Sequence, residues 1–267
     1  MPDAPKICIV RVGGTNCDEE TRLALLELGA AAEIVHMKKI ARDGLERFDA
    51  LVIPGGFSYG DHIRAGAIMG RVLFGSMLDR LRKFIEDGRP ILGICNGFQV
   101  LIESGLLPGF DAHGEQQAAL ALNSSARYEC RWVHLRHENR GRCVFTRRLR
   151  RGEVLFMPVA HAEGRFVLRG GKEREDLRRM MMNDQLVFRY CDEHGKYAKG
   201  RYPVNPNGSY WDIAGICDPS GLVFGLMPHP ERAFYGLQLP DWTSREPRPE
   251  YGDGRAIFES LVEYLKG

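Results

Sequence analysis

Pro90-Ile91-Leu92-Gly93-Ile94 carries no polar side chain and runs straight into Cys95-Asn96-Gly97-Phe98-Gln99, and this junction constrains the fold more than any other stretch. A short, branched, apolar run of this kind reads as a strand buried on both faces. After Asn96, Phe98, Leu101, Ile102 and Leu106 recur at helical spacing until Gly105 and Pro108 end the pattern. Gly93-Ile94-Cys95-Asn96-Gly97 is therefore a sharp strand-to-helix turn of the G-x-nucleophile-x-G kind, with small residues on both sides relieving the crowding. The turn lifts Cys95 out of the sheet. There the thiol faces the positive end of a helix dipole and unpaired backbone N–H groups, which favour a thiolate and can hold a developing oxyanion.

A cysteine nucleophile needs a base and a group to orient that base. Two segments place histidine and carboxylate two residues apart after a strand-like run: Pro228-His229-Pro230-Glu231 behind Leu222 to Met227, and His161-Ala162-Glu163 behind Val154 to Ala160. In extended chain such residues point to the same side. The prolines flanking His229 fix the local backbone and favour that pair, but the residues alone leave both open.

Pro54-Gly55-Gly56-Phe57-Ser58-Tyr59-Gly60-Asp61, Gly93 to Gln99, and Gly225-Leu226-Met227-Pro228-His229-Pro230-Glu231-Arg232 together resemble the class I (triad) glutamine amidotransferases. More narrowly, the chain is similar to the glutaminase subunits of phosphoribosylformylglycinamidine synthase. That resemblance rests on Cys95-Asn96-Gly97-Phe98-Gln99, Gly14-Thr15-Asn16-Cys17-Asp18, Asn123-Ser124-Ser125, Cys130-Arg131-Trp132-Val133 and the Asn205-Pro206-Asn207-Gly208-Ser209 turn before Ile213. The matches run in order from about residue 6 to about 235.

The resemblance implies a catalytic set of Cys95, His229 and Glu231, and an oxyanion hole from the amides of Gly56 and Asn96. It also implies that Gln99 helps to hold the substrate amino acid, and His161 is assigned to the same substrate-binding group. The implied reaction is hydrolysis of L-glutamine to glutamate and ammonia through a Cys95 thioester. Implied partners are a large synthetase subunit, which uses ATP and Mg to convert formylglycinamide ribonucleotide, and a small bridging subunit. The chain itself is expected to carry no cofactor and no metal. A glutaminase serving another ammonia acceptor and a DJ-1-like stand-alone hydrolase are the alternatives.

Other features narrow the class. Gly13-Gly14 lacks the spacing of a phosphate-binding loop, as does Gly170-Gly171-Lys172, so ATP chemistry is expected elsewhere. A net charge of +2 argues for neither nucleic acid nor a membrane surface. The seven cysteines form no C-x-x-C pair, which points to a reducing compartment without structural zinc. With no secretory h-region and no membrane-length apolar run, a soluble cytoplasmic protein is expected.

At 267 residues the chain is long enough for one glutamine amidotransferase domain with a substantial core. The first half alternates strands (Lys6 to Val12, Ala32 to His36, Ala50 to Ile53) with helices, including one over Arg71 to Asp87. Asn16 and Glu19 are spaced as a capping box for the first helix. This predicts an α/β fold: an open, mainly parallel, flavodoxin-like sheet with helices on both faces. After residue 110 strand-like runs follow one another directly, including Cys130 to Leu135, Val154 to Ala160, Leu186 to Cys191 and Leu222 to Met227, and predict antiparallel additions. A surface insertion is expected at about 168–201, and an extended C-terminal tail at about 236–267.

Overall fold

The Ile7-Cys8-Ile9-Val10 run is fully buried in the computed structural model, which describes residues 4–61, 64–110 and 116–267. It forms the middle of β1 (Lys6–Arg11). Next come α1 (Asp18–Glu27), β2 (Ala31–His36), α2 (Met37–Asp43), β3 (Ala50–Ile53), α3 (Ala67–Glu86), β4 (Ile91–Ile94) and α4 (Asn96–Glu103). The second half holds β5 (Ala118–Ala121), β6 (Glu129–His137), β7 (Val154–His161), β8 (Arg165–Leu168), α5 (Glu173–Met182), β9 (Leu186–Cys191), β10 (Ile213–Cys217), β11 (Val223–Leu226) and α6 (Arg255–Lys266).

Among the described residues nine strands form one sheet in the order β2-β1-β3-β4-β11-β10-β9-β6-β7, and β5 pairs separately with β8. The run β2-β1-β3-β4-β11 is parallel throughout, while β10, β9, β6 and β7 join antiparallel. The mainly parallel sheet with antiparallel additions is therefore present, and its parallel part has the flavodoxin-like strand order. Strands buried on both faces explain the unbroken apolar runs of β3, β4 and β11, whose residues are all buried. Among the described residues no helix is long and apolar enough to cross a membrane.

Several local expectations change. The capping box on α1 is absent: Cys17 sits at the N-cap and makes no side-chain cap bond, while Glu19 pairs with Arg11 and Arg22. Helix α3 starts at Ala67, a turn earlier than its periodicity predicts, behind Gly66 in the left-handed conformation. The insertion expected at about 168–201 is surface only in part, because it contains the strand expected over Leu186 to Cys191. Six consecutive buried residues, Leu186–Cys191, form β9 between β10 and β6, while α5 before it and residues 192–201 after it are largely surface. The expected tail likewise ends in a core element, because Ile257, Phe258 and Leu261 of α6 are completely buried.

Glycine at position 97 is a packing requirement. A Cβ built there would stand 1.9 Å from the Ile53 carbonyl oxygen, a backbone atom that cannot swing aside. Gly97→Ala must push α4 away from β3, and we expect it to cost about 2–4 kcal/mol of folding stability. A thermal melt checks this, and an unchanged melting temperature would contradict the packing account.

Candidate active site

Strands β3, β4 and β11 are adjacent and parallel, so their carboxyl ends deliver Gly55-Gly56, Cys95 and His229 to one edge of the sheet. The Cys95 amide still donates to Leu226 of β11 at 2.8 Å, which ties the turn to its neighbour strand. Beyond that bond the backbone turns sharply, with Cys95 at φ 51° and ψ −102°. For a residue with a Cβ this is a strained conformation, costing on the order of 1–3 kcal/mol, and it persists because the surroundings dictate it. Gly93 supplies the room: a Cβ there would lie 2.5 Å from Leu101 Cδ1 and 2.7 Å from the Gly97 backbone. The Cys95 sulfur lies 3.6 Å from the Ala160 carbonyl oxygen, at the start of α4.

His229 is held on both sides. Its amide donates to the Pro158 carbonyl at 2.8 Å, and its ring Nδ1 is 2.5 Å from Glu231 Oε1. Both side chains are buried, as are Nε2 and Glu231 Oε2, which have no hydrogen-bond partner among the described residues. With the carboxylate at Nδ1, the Nδ1–H tautomer is the one this geometry selects, leaving Nε2 for proton transfer. Burial opposes the charged imidazole, but the Glu231 carboxylate and then the Cys95 sulfur outweigh it, so the ring holds its proton well above the usual histidine range. Nε2 itself makes no hydrogen bond among the described residues; catalytic contacts of this kind commonly tighten only when substrate is bound.

The loop after β3 is clamped by the loop after β1. Asn16 and Cys17 both donate backbone N–H groups to the Gly55 carbonyl at 3.3 Å, and the Phe57 amide donates to Gly14 at 2.8 Å. A trans peptide carries its C=O and N–H in opposite directions, so these bonds fix the direction of the Gly56 N–H. Gly56 has φ +145°, and a Cβ there would meet the Gly14 carbonyl oxygen at 2.6 Å, so only glycine fits. Across the gap, the Ser58 amide donates to Asn96 Oδ1 at 3.1 Å, joining this loop to the start of α4.

Gln99 and His161 are brought to the same region, but with their polar atoms engaged by protein. Gln99 Oε1 accepts from the Asn96 side chain at 2.8 Å, and its Nε2 donates to the Glu163 carbonyl at 2.7 Å. His161 Nδ1 is 3.1 Å from Asn123 Oδ1, with Asn207 Nδ2 3.5 Å from its Nε2. Neither presents a free polar group. Burial, followed by the charge of His229, lowers the His161 pKa to about 3, so this ring is neutral near pH 7. Glu163 does not orient it, because its carboxylate accepts from the Ala65 amide at 3.2 Å instead.

Sequence reasoning misses the route by which β7 reaches the site. It is the last strand of the sheet order, yet Pro158 and Ala160 touch His229 and Cys95 through backbone carbonyls, for which no side-chain signal exists. The motifs around Asn123 and Asn207 build its far end: Asn123 Nδ2 donates to the His161 carbonyl, and Asn207 Nδ2 to Gly164. Their asparagines are the signal in the sequence. Exposed Phe57 stacks on Tyr128 at 6.5 Å beside the loop, a pair that nothing in sequence spacing couples.

Cys17, His229 and Glu231 gather three possible metal ligands within 4.8 Å. Their arrangement does not suit an ion. The 2.5 Å between Nδ1 and Oε1 is a hydrogen-bond distance, shorter than two donors at about 2.0–2.2 Å from one tetrahedral zinc would keep, and the Arg232 guanidinium already lies 3.1 Å from the Cys17 sulfur.

Residues 4–265 match the family described as the CobB/CobQ-like glutamine amidotransferase domain. Phosphoribosylformylglycinamidine synthase subunit PurQ of Archaeoglobus fulgidus is 49% identical, the match covering 98% of this chain and 97% of that one. The protein of the same name from Methanococcus maripaludis is 41% identical over the same shares. Among solved structures, PurLQS from Thermotoga maritima matches with a TM-score of 0.74 and 35% identity, covering 98% of this chain and 100% of that one. The glutaminase domain of Trypanosoma brucei CTPS, with bound acivicin, has a TM-score of 0.55 at 14% identity over 98% of this chain and 94% of that one, a likeness of fold alone.

Proposed function

The chain belongs to the CobB/CobQ-like glutamine amidotransferase family, among the PurQ subunits of phosphoribosylformylglycinamidine synthase, and we propose that it releases ammonia from L-glutamine by thioester chemistry at Cys95. The Cys95 thiolate attacks the side-chain carboxamide carbon, and the N–H groups of Gly56 and Asn96 take up the oxyanion. Each such donor is worth roughly 3 kcal/mol to the transition state. His229, protonated and backed by Glu231, gives its proton to the departing nitrogen as the C–N bond breaks. A water molecule then loses a proton to His229 and attacks the thioester, which frees glutamate and restores the Cys95 thiolate beside the protonated His229. Gln99 and His161 act as positioning residues: Gln99 braces Asn96 against the Glu163 loop, and the neutral His161 ties β7 to Asn123 and Asn207.

The observation that carries this reading is the buried 2.5 Å His229–Glu231 contact, on the strand end next to a strained cysteine at a helix start. The whole chain acts as one glutaminase unit. Its partners are a large synthetase subunit and a small bridging subunit, and the ammonia converts formylglycinamide ribonucleotide to formylglycinamidine ribonucleotide in de novo purine biosynthesis. ATP and magnesium act in the synthetase subunit, and the assembly works in the cytoplasm.

Ammonia released without an acceptor is lost, so hydrolysis has to answer to the partner. The element able to respond is the Gly55–Gly56 peptide, whose carbonyl is held by two long 3.3 Å bonds from Asn16 and Cys17. We expect the isolated chain to hydrolyse glutamine at least about tenfold more slowly than the complex with its ligands, a coupling of the usual allosteric size. Glutamate release is measured for the chain alone, with partners, and with partners plus ligands. Full activity in the isolated chain, unchanged by partners, would reject the coupling and favour an independent hydrolase.

A further inference from the structure

Cys17 sits at the N-cap of α1 without capping it. Short side chains at this position usually stabilise a helix start by accepting from its first amides, and here that contact is given up. The side chain points into the site instead. Its sulfur is 3.9 Å from His229 Nδ1 and accepts from the Arg232 guanidinium at 3.1 Å. A Cβ built on Gly55 would stand 3.2 Å from the same sulfur and 2.8 Å from His229 Cε1, so glycine, thiol and imidazole fill one gap with no room between them. Cys17 is 1% exposed, which leaves it no contact with solvent to explain its placement.

We propose that Cys17 is a positioning residue for the His229–Glu231 pair: its sulfur walls one side of the imidazole and, by accepting from Arg232, holds that cation off the Glu231 carboxylate. The inference rests on the glutaminase reading above. The titratable and charged groups around the imidazole are Glu231, Cys95, Cys17, His161, Tyr128 and Arg232, with Glu20 beyond it 3.9 Å from Arg232. Of these, only Arg232 is a permanent cation, and Glu231 Oε2 is the nearby buried oxygen without a partner. Removing the sulfur frees Arg232 to approach that oxygen. The carboxylate then holds the imidazolium less firmly, and the ring loses its proton at a lower pH.

The test measures kcat, KM and the pH profile of glutamine hydrolysis in the complex with the synthetase partners, together with synthesis from added ammonia. For Cys17→Ala we expect kcat about tenfold lower, KM within about twofold, and the alkaline limb of kcat moved down by roughly half to one pH unit. Cys17→Ser, whose hydroxyl still accepts from Arg232, should recover most of kcat and return the limb. Synthesis from ammonia should be unchanged in both. A wild-type kcat and limb in Cys17→Ala would overturn the proposal. So would a loss that serine does not restore and that follows a lower melting temperature with the limb unmoved, since that is the signature of a purely structural cysteine. A wild-type complex without glutaminase activity would instead sink the underlying reading.

Discussion

Replacing Cys95 by alanine should lower glutamine-dependent synthesis in the assembled enzyme more than about a thousandfold, while synthesis from added ammonia continues at the wild-type rate. The nucleophile forms the covalent intermediate, so no neighbouring group takes over its part. Ammonia bypasses that step and reports that the subunits still assemble. Cys17 is the rival thiol because it too touches His229, but burial raises its pKa and its sulfur is already engaged by Arg232. Cys17→Ala should leave measurable glutaminase turnover. If Cys17→Ala abolishes turnover and Cys95→Ala does not, the roles are reversed.

The second large effect separates the two buried histidines. His229→Asn should lower kcat by about 10²–10⁴-fold, the range a general acid–base residue contributes. Its ring is the one that carries a proton at working pH, because the Glu231 carboxylate lies 2.5 Å from Nδ1. His161 is neutral near pH 7 and has asparagines at both ring nitrogens, so it is placed to hold structure rather than to move protons. His161→Ala should cost about 1–3 kcal/mol of stability through the buried volume and the ring hydrogen bonds it removes, yet still form and hydrolyse the thioester. Steady-state kinetics beside thermal melts decide between them. An inactive His161 variant alongside a near-normal His229 variant would contradict the assignment.

Much of this geometry is legible in the sequence, for identifiable reasons. The apolar run of β4, the glycines at 93 and 97 and the helical period after Asn96 describe one strand-to-helix turn, since each position is governed by its near neighbours. The parallel half of the sheet is legible from the alternation of strands and helices. What stays hidden depends on long-range backbone contacts. The hairpin of β6 and β7 brings Pro158 and Ala160 back to the nucleophile, and the loop after β1 clamps Gly55 through two amides, neither of which leaves a mark on side-chain pattern. Leu186–Cys191 is legible as a strand from its apolar, branched run, but its place between β10 and β6, inside a segment expected to be a surface insertion, is not, because the polar, helical α5 precedes it. Gln99 and His161 illustrate a further limit: a motif identifies residues near a ligand site but not whether their polar atoms face the ligand or the protein.

Covalent attack by Cys95 on glutamine leaves a glutamyl thioester, and that intermediate can be trapped. The complex, turning over isotopically labelled glutamine, is acid-quenched within a turnover and digested, and its cysteine peptides are weighed by mass spectrometry. A glutamyl adduct should appear on the peptide containing Cys95 and be absent from the Cys95→Ala variant. A label on the Cys17 peptide, or steady glutamate production with no labelled thiol at any quench time, would contradict it.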